Sequence, residues 1–215
     1  MSSKRKKISH AQRSEEREEL SSIYEVQRAF HEQGLYLPTR TIFMGSETSD
    51  VEGYSSGCDA EMAKTVIKNI HILETLKFDC PINILSDNLG GDEYHGMAIM
   101  DAMMQSPCDI HMYVRGHAMS MGSLILQAAD RRYVGPLSTQ LLHYGTWGFV
   151  GHSKDAQKWA EEGKRLDAWM EQFYLKRIRE KRPKFSLEEL QEILRFDSFF
   201  TAQQSIDLGL ADEIG

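Results

Sequence analysis

The chain has 215 residues, 41% hydrophobic and 27% charged, with a formal net charge of −7. That is enough for one full-sized core, and the charge has the wrong sign for a general nucleic-acid surface. No apolar run approaches the ~20 residues of a membrane span, so neither nucleic acid nor membrane is an expected partner.

The N-terminal stretch, residues 1–35, differs from the rest. Lys4 to Lys7 form a basic cluster, and Arg13 to Glu19 carry dense mixed charge. Charged residues follow the cluster, rather than the apolar stretch of a secretory signal. Leu20, Ile23, Tyr24 and Phe30 offer one weak amphipathic face. A solvated arm, a removable pro-segment and a docking helix all fit this stretch. Cys58, Cys80 and Cys108 are widely spaced without paired ligand spacing, which predicts reduced thiols in a cytoplasmic setting and no metal site.

A globular domain over residues 36–215 is expected. Thr41–Met44 reads as a strand closed by Gly45, followed by a loop over 46–58 rich in Ser, Thr, Asp and Gly. Ala63, Val66, Ile67, Ile70 and Leu73 mark an amphipathic helix from Asp59 onward. Pro81–Leu85 is a short apolar strand, and Gly90-Gly91 breaks the chain before a helix with Met97, Ala98 and Met104. Asp109 to Val114 alternates as a strand should, and Leu124, Ile125, Ala128 and Ala129 then recur at helical spacing. Further strands are predicted at Arg132–Val134 and Gln140–His143. Three strand–helix units of this kind predict an α/β fold with parallel pairing. A long helix over 154–181 follows, on the spacing of Trp159, Leu166, Trp169 and Phe173. Capping boxes at Ser186-x-x-Glu189 and Thr201-x-x-Gln204 open two later helices, and Gly209 ends the last.

Ser120 stands at the change of period between the 109–114 strand and the following helix, among small or flexible residues. A turn of that kind lifts a hydroxyl out of the backbone and aims the next amide, that of Met121, at whatever the hydroxyl attacks. Equally, Ser120 fits a plain helix cap. Gly90-Gly91 directly follows a strand, where open α/β sheets bind ligands, and fits either a simple turn or a source of exposed amides. The G-x-G-x-x-G spacing of dinucleotide sites is absent. His143 closes an apolar strand end, with seven other histidines competing for a base role; His117 is nearest to Ser120 along the chain. Asp197 is a carboxylate among Phe196, Phe199 and Phe200, suited to an imidazole partner or to a local cap. Pairing of Ser120, His143 and Asp197 in space does not follow from spacing.

From about Thr39 to the end the chain resembles the proteolytic subunits of the Clp protease, the ClpP family. Four ordered segments carry the likeness. Asn88-Leu-Gly-Gly91 resembles the family's Asn-Ser-Pro-Gly-Gly loop, and Gly116-His-Ala-Met-Ser-Met-Gly122 its Gly-Gln-Ala-Ala-Ser-Met-Gly turn. Leu141-Leu-His143 resembles Met-Ile-His-Gln-Pro, and Asp197-Ser-Phe-Phe-Thr-Ala202 resembles Asp-Arg-Phe-Leu-Ser-Ala. The resemblance implies a ClpP/crotonase-like superhelix of repeated βαβ units with a protruding handle at about 145–182. It implies a serine endopeptidase with Ser120 as nucleophile, His143 as base and then acid, Asp197 orienting His143, and an oxyanion hole from the amides of Gly91 and Met121. It further implies two stacked heptameric rings of this chain, enclosing extended polypeptide substrates. Residues 144–152 would form a strand and turn to which a substrate adds as a β-strand. No cofactor is expected in the subunit itself; ATP would be used by a partner unfoldase, an AAA+ Clp ATPase.

The chain departs from the family pattern at several places. Tyr144-Gly145 replaces Gln-Pro, implying a different wall on the substrate side. Leu89 replaces the loop Pro, implying a looser oxyanion loop. Phe196 and Ser198 stand where arginines often serve ring-to-ring contacts, with Arg195 as a substitute. These departures suit an atypical member, such as a capsid-maturing protease or an inactive ring subunit acting as a scaffold. A hydratase-like reading, with paired amides holding a thioester enolate, explains Gly91 but leaves Ser120, His143 and Asp197 idle.

Overall fold

The computed structural model describes residues 10–45, 47–48, 55–76, 80–146, 148 and 150–215. The basic cluster Lys4–Lys7 and most of the expected 46–58 loop lie outside them. The elements run α1 (His10–Gln33), β1 (Leu35–Tyr36), β2 (Thr41–Gly45), β3 (Glu47–Thr48), β4 (Ser55–Ser56), α2 (Ala60–Leu76), β5 (Ile82–Asn88) and α3 (Glu93–Gln105). They continue with β6 (Ile110–Met119), α4 (Met121–Leu126), β7 (Arg131–Val134), β8 (Thr139–Leu142), α5 (Ser153–Lys181), α6 (Leu187–Leu194), β9 (Ser198–Thr201), α7 (Ala202–Leu208) and β10 (Glu213–Ile214).

The chain is mixed α/β, as expected. β2, β5 and β6 pair in parallel, each followed by a helix, and the sheet runs β1-β2-β5-β6-β7-β10. Along β5, Ile82, Ile84, Ser86 and Asn88 are buried while the residues between them are half-exposed. Period-two alternation has therefore put one face of the strand under the crossover helices. Ala63, Val66, Ile70 and Leu73 of α2 and Ile99, Met100 and Met103 of α3 join that core.

β6 is the branch point. Its first half, His111–Val114, pairs with β7, and its tip, His117–Met119, pairs with β8 instead. Gly116 lies between the two at φ +88°, a conformation that side chains disfavour. A Cβ there would stand 2.8 Å from the Asp87 carboxylate. The strand thus passes five residues beyond the expected end at Val114, because the bend at Gly116 hands it a second partner.

Four other expectations are corrected. The helix after Ser120 does not reach Ala129: α4 ends at Leu126, and Gln127, Ala128 and Ala129 continue as i→i+3 turns. Two-residue strands β3 and β4 pair within the stretch expected to be loop only. The edge strands β1, β9 and β10 have no counterpart in the sequence reading. Finally, the described residues between 143 and 152 form no strand. The Tyr144 amide donates to the Leu194 carbonyl at 2.9 Å, and its hydroxyl donates to Glu171. Both bonds pull the chain out of the sheet direction straight after His143, and Gly145, Gly148 and Gly151 then offer little strand propensity.

α5 spans 29 residues, and every side chain from Gly151 to Glu161 is exposed. Its N-terminal third therefore projects from the body, while Leu166, Tyr174, Leu175 and Ile178 anchor the remainder. Both capping boxes form as expected, at Ser186 and Thr201, and Gly209 closes α7. Behind the branch, the buried Arg132 guanidinium is bound to both oxygens of Asp212, to Gln127 and to the Gly209 carbonyl. This ties β7 to the C-terminal segment. In α1 the described side chains up to Ala29 are mostly exposed, and Phe30 packs edge-on against Tyr36 and Phe43.

Candidate active site

Ser120 follows the tip of β6 and precedes α4. Its backbone sits at φ +51°, ψ −124°, and it makes no side-chain cap bond. A non-glycine residue in that region is strained, by about 1–3 kcal/mol, and persists only where its surroundings hold it. Here they do: the Ser120 amide donates to the Leu141 carbonyl at 2.8 Å, and its own carbonyl accepts from Ser123 and Leu124. The helix-cap alternative for Ser120 is therefore set aside.

His143 follows the end of β8, and Asp197 precedes β9. In the ladders Met119 faces Leu141 and Leu142 faces Ser198. Ser120, His143 and Asp197 are thus the next residues out along three adjacent strands, about 4.8 Å apart from strand to strand. His143 Nδ1 stands 2.9 Å from Asp197 Oδ1. A carboxylate only accepts, so Nδ1 carries the hydrogen and Nε2 keeps its lone pair. Ser120 and His143 line one cleft. His117 does not join them: its Nδ1 and its backbone amide both bind Asp87 Oδ1 at 2.9 Å.

The loop after β5 closes against the Ser120 turn. Cys58 donates its amide to the Gly90 carbonyl, and the Asp92 amide donates to the Cys58 carbonyl at 2.7 Å. Gly91 takes φ +138°, and a Cβ there would stand 2.4 Å from Cys58 N. A Cβ on Gly90 would stand 3.1 Å from Met121 N. Two backbone segments therefore meet with no room for side chains. Leu89 stands in the place of the family's proline, yet the loop is braced: the Gly90 amide donates to Asn88 Oδ1 at 2.7 Å. The Gly91 and Met121 amides are not among the donors that hold these segments together. The thiol of Cys58, whose backbone braces this loop, is pushed up to about 12 by burial and then by Asp92 and Asp59.

Leu124, Leu166, Trp169 and Met170 wall the cleft, and two carboxylates that the sequence reading missed, Glu93 and Asp167, also line it. Burial first, then the charges of Asp167 and Asp92, push the Glu93 carboxyl up to about 7. Burial and Glu171 likewise raise Asp167. The only signals for them in the sequence are the acidic pair directly after Gly90-Gly91 and an Asp beside Leu166 on the buried side of the long helix. The other departures are accounted for within the chain. The Ser198 hydroxyl donates to the Ile193 carbonyl at 2.7 Å, and Arg195 pairs with Glu192 and stands over the Phe196 ring.

A hydroxyl on a strained turn, an imidazole–carboxylate pair on the neighbouring strands and two amides beside them suit acyl transfer. The Clp protease family model matches residues 31–215. The chain is 31% identical over 180 residues to the ATP-dependent Clp protease proteolytic subunit 2 of Mycolicibacterium paratuberculosis, covering 83% of each. It is also 31% identical over 180 residues to subunit 1 from Mycobacterium tuberculosis, covering 83% of this chain and 82% of the relative. With the proteolytic subunit from Deinococcus radiodurans it shares 26% identity over 190 residues, covering 87% of this chain and 86% of the relative. The chain belongs to the Clp protease family. Its activity is that of a serine endopeptidase. No helix among the described residues is long and apolar enough to cross a membrane.

Proposed function

We propose that Ser120, His143 and Asp197 are the catalytic residues of this peptidase. His143 Nε2 takes the Ser120 hydroxyl proton as the oxygen attacks the scissile carbonyl, while the Gly91 and Met121 amides hold the developing oxyanion. The new ester bond forms as the C–N bond breaks, and His143 returns the proton to the leaving amine. Water, deprotonated by the same imidazole, then releases the acyl group. Asp197 keeps the proton on Nδ1 and supports the imidazolium between the two transfers. This chemistry calls for no cofactor in the chain.

The observation that carries the reading is the His143–Asp197 bond at the end of the β8–β9 ladder, in the cleft that Ser120 also lines. Treatment with a fluorophosphonate tests it. Labelling should map to Ser120 and vanish in Ser120→Ala; labelling elsewhere, or none in the assembled protein, refutes it.

The relatives' names point to a subunit that works with an ATP-driven partner. We place this chain in paired heptameric rings in the cytoplasm, stacked through the exposed end of α5. A Clp ATPase that consumes ATP would feed unfolded polypeptide into the chamber. A native mass measurement reads the ring number directly, and a monomer at working concentration would rule the assembly out.

A further inference from the structure

The cleft beside Ser120 has apolar walls but an acidic lining. Glu93 enters it from the first turn of α3 and Asp167 from α5. Both are half-buried, and among the described residues neither forms an ion pair. The contrast with their neighbours is sharp. Glu162 is held by Arg165 and by the Tyr94 hydroxyl, and Glu171 by Tyr144 and Gln191. Taking charge out of water costs free energy unless a partner arrives. The charge of Asp167 adds to the cost of ionising Glu93, burial and Glu171 raise Asp167, and both stand in the cleft that Ser120 lines. No group of three side chains suited to a metal ion occurs among the described residues.

We propose that Glu93 and Asp167 form a cation-accepting pocket that selects polypeptides with Lys or Arg as the residue whose carbonyl Ser120 attacks. The inference rests on the catalytic reading above and adds the substrate class to it. Leu166, Trp169 and Met170 take the methylene stem of such a side chain, and the carboxylates take its charged end. The arriving cation offsets the charge that Asp167 sets against Glu93, so binding supplies the partner that neither carboxylate has among the described residues. The groups facing Glu93 are Asp92 on its own turn, Asp167 with Glu171 behind it on α5, and His143 in the same cleft. Burial first, then the charges of Asp167 and Asp92, raise the Glu93 carboxyl to about 7, so the group is partly protonated near neutral pH. Selection for the cation therefore strengthens as pH rises through about 7.

The test compares two otherwise identical peptides, carrying Lys or norleucine at the residue before the cut bond. Their kcat/KM ratio cancels the protonation of His143, which acts on both alike. The ratio should favour Lys roughly tenfold or more at pH 8, as expected for a charge-assisted contact, and decline towards pH 5.5. Glu93→Gln and Asp167→Asn should each lower the ratio at pH 8. A wild-type ratio of one or less, in protein whose Ser120 is labelled by fluorophosphonate, overturns the inference and leaves the catalytic reading intact. Calorimetric binding of the same two peptides to Ser120→Ala protein gives a readout free of turnover. Tighter binding of the Lys peptide supports the pocket even if Ser120 proves unreactive, and equal binding overturns it.

Discussion

His143 and Asp197 are 54 residues apart in the chain, yet their side chains meet at 2.9 Å, Nδ1 to Oδ1. The contact fixes the tautomer, and the tautomer decides whether Nε2 can accept a proton. Asp197→Asn keeps the shape but lets the amide NH2 donate to Nδ1, which moves the ring hydrogen to Nε2. Turnover should fall by roughly 10^3–10^4, while native mass and fold are kept. Steady-state kcat with a fluorogenic peptide checks it, and a loss below tenfold would show that the carboxylate does not set the tautomer.

His117 is three residues from Ser120 and His143 twenty-three, but the nearer imidazole is spent on Asp87. His117→Ala should leave kcat/KM within a fewfold of wild type and cost at most about 1 kcal/mol, since the pair it breaks is half-exposed. His143→Ala should remove activity while leaving the native mass unchanged. The two variants, assayed side by side, separate nearness along the chain from nearness in the fold.

Gly91→Ala should be among the most damaging single-carbon additions in the chain. The new methyl would stand 2.4 Å from Cys58 N and 2.6 Å from Cys58 O, with φ at +138°. Backbone on one side and strain on the other leave no cheap relief. We expect a loss of roughly 1–3 kcal/mol in stability and a fall of about 10^2-fold or more in kcat, since the loop amide moves. Thermal unfolding together with kcat measures both, and full activity would place the oxyanion elsewhere.

Glu93 also gives the fold a pH dependence of known sign. Its carboxyl is raised from 4.5 to about 7 by burial, then by Asp167 and Asp92. The folded state therefore disfavours the ionised form. The stability this group contributes is fully present below 4.5 and is lost as pH rises through about 7. Glu93→Gln, which never ionises, should match wild type near pH 4 and be the more stable protein at pH 8. Denaturant midpoints at the two pH values check this, and an equal difference at both would contradict it.

Much of the central sheet was legible because its strands and helices bury one face, so β2, β5, β6 and their helices showed clear period. Two-residue edge strands such as β1 and β10 bury little and left no pattern. The alternation that marks β6 stops at Val114, while the bend at Gly116 passes the strand on to a second partner. Ser120 announced itself by the change of period. His143 and Asp197 did not, since their meeting depends on the antiparallel register of β8 with β9, set by residues far apart in sequence. The family likeness supplied that pairing. Glu93 and Asp167 lay outside both signals: neither belongs to the four matching segments, and each reads as ordinary surface charge until α5 folds over the loop.

Because Ser120, His143 and Asp197 each follow or precede a strand of the β6–β8–β9 branch, their spacing is fixed by main-chain ladders rather than by the loops between them. The 53 residues 144–196 between His143 and Asp197, the projecting helix included, contribute nothing to the ladder that sets the imidazole beside the carboxylate. A slip of one residue between β8 and β9, by contrast, would turn the carboxylate, together with the side chains of β9, to the far side of the sheet. Inheritance is thus free to remodel the outer architecture, while the reactive geometry tolerates almost no error in how two short strands are aligned.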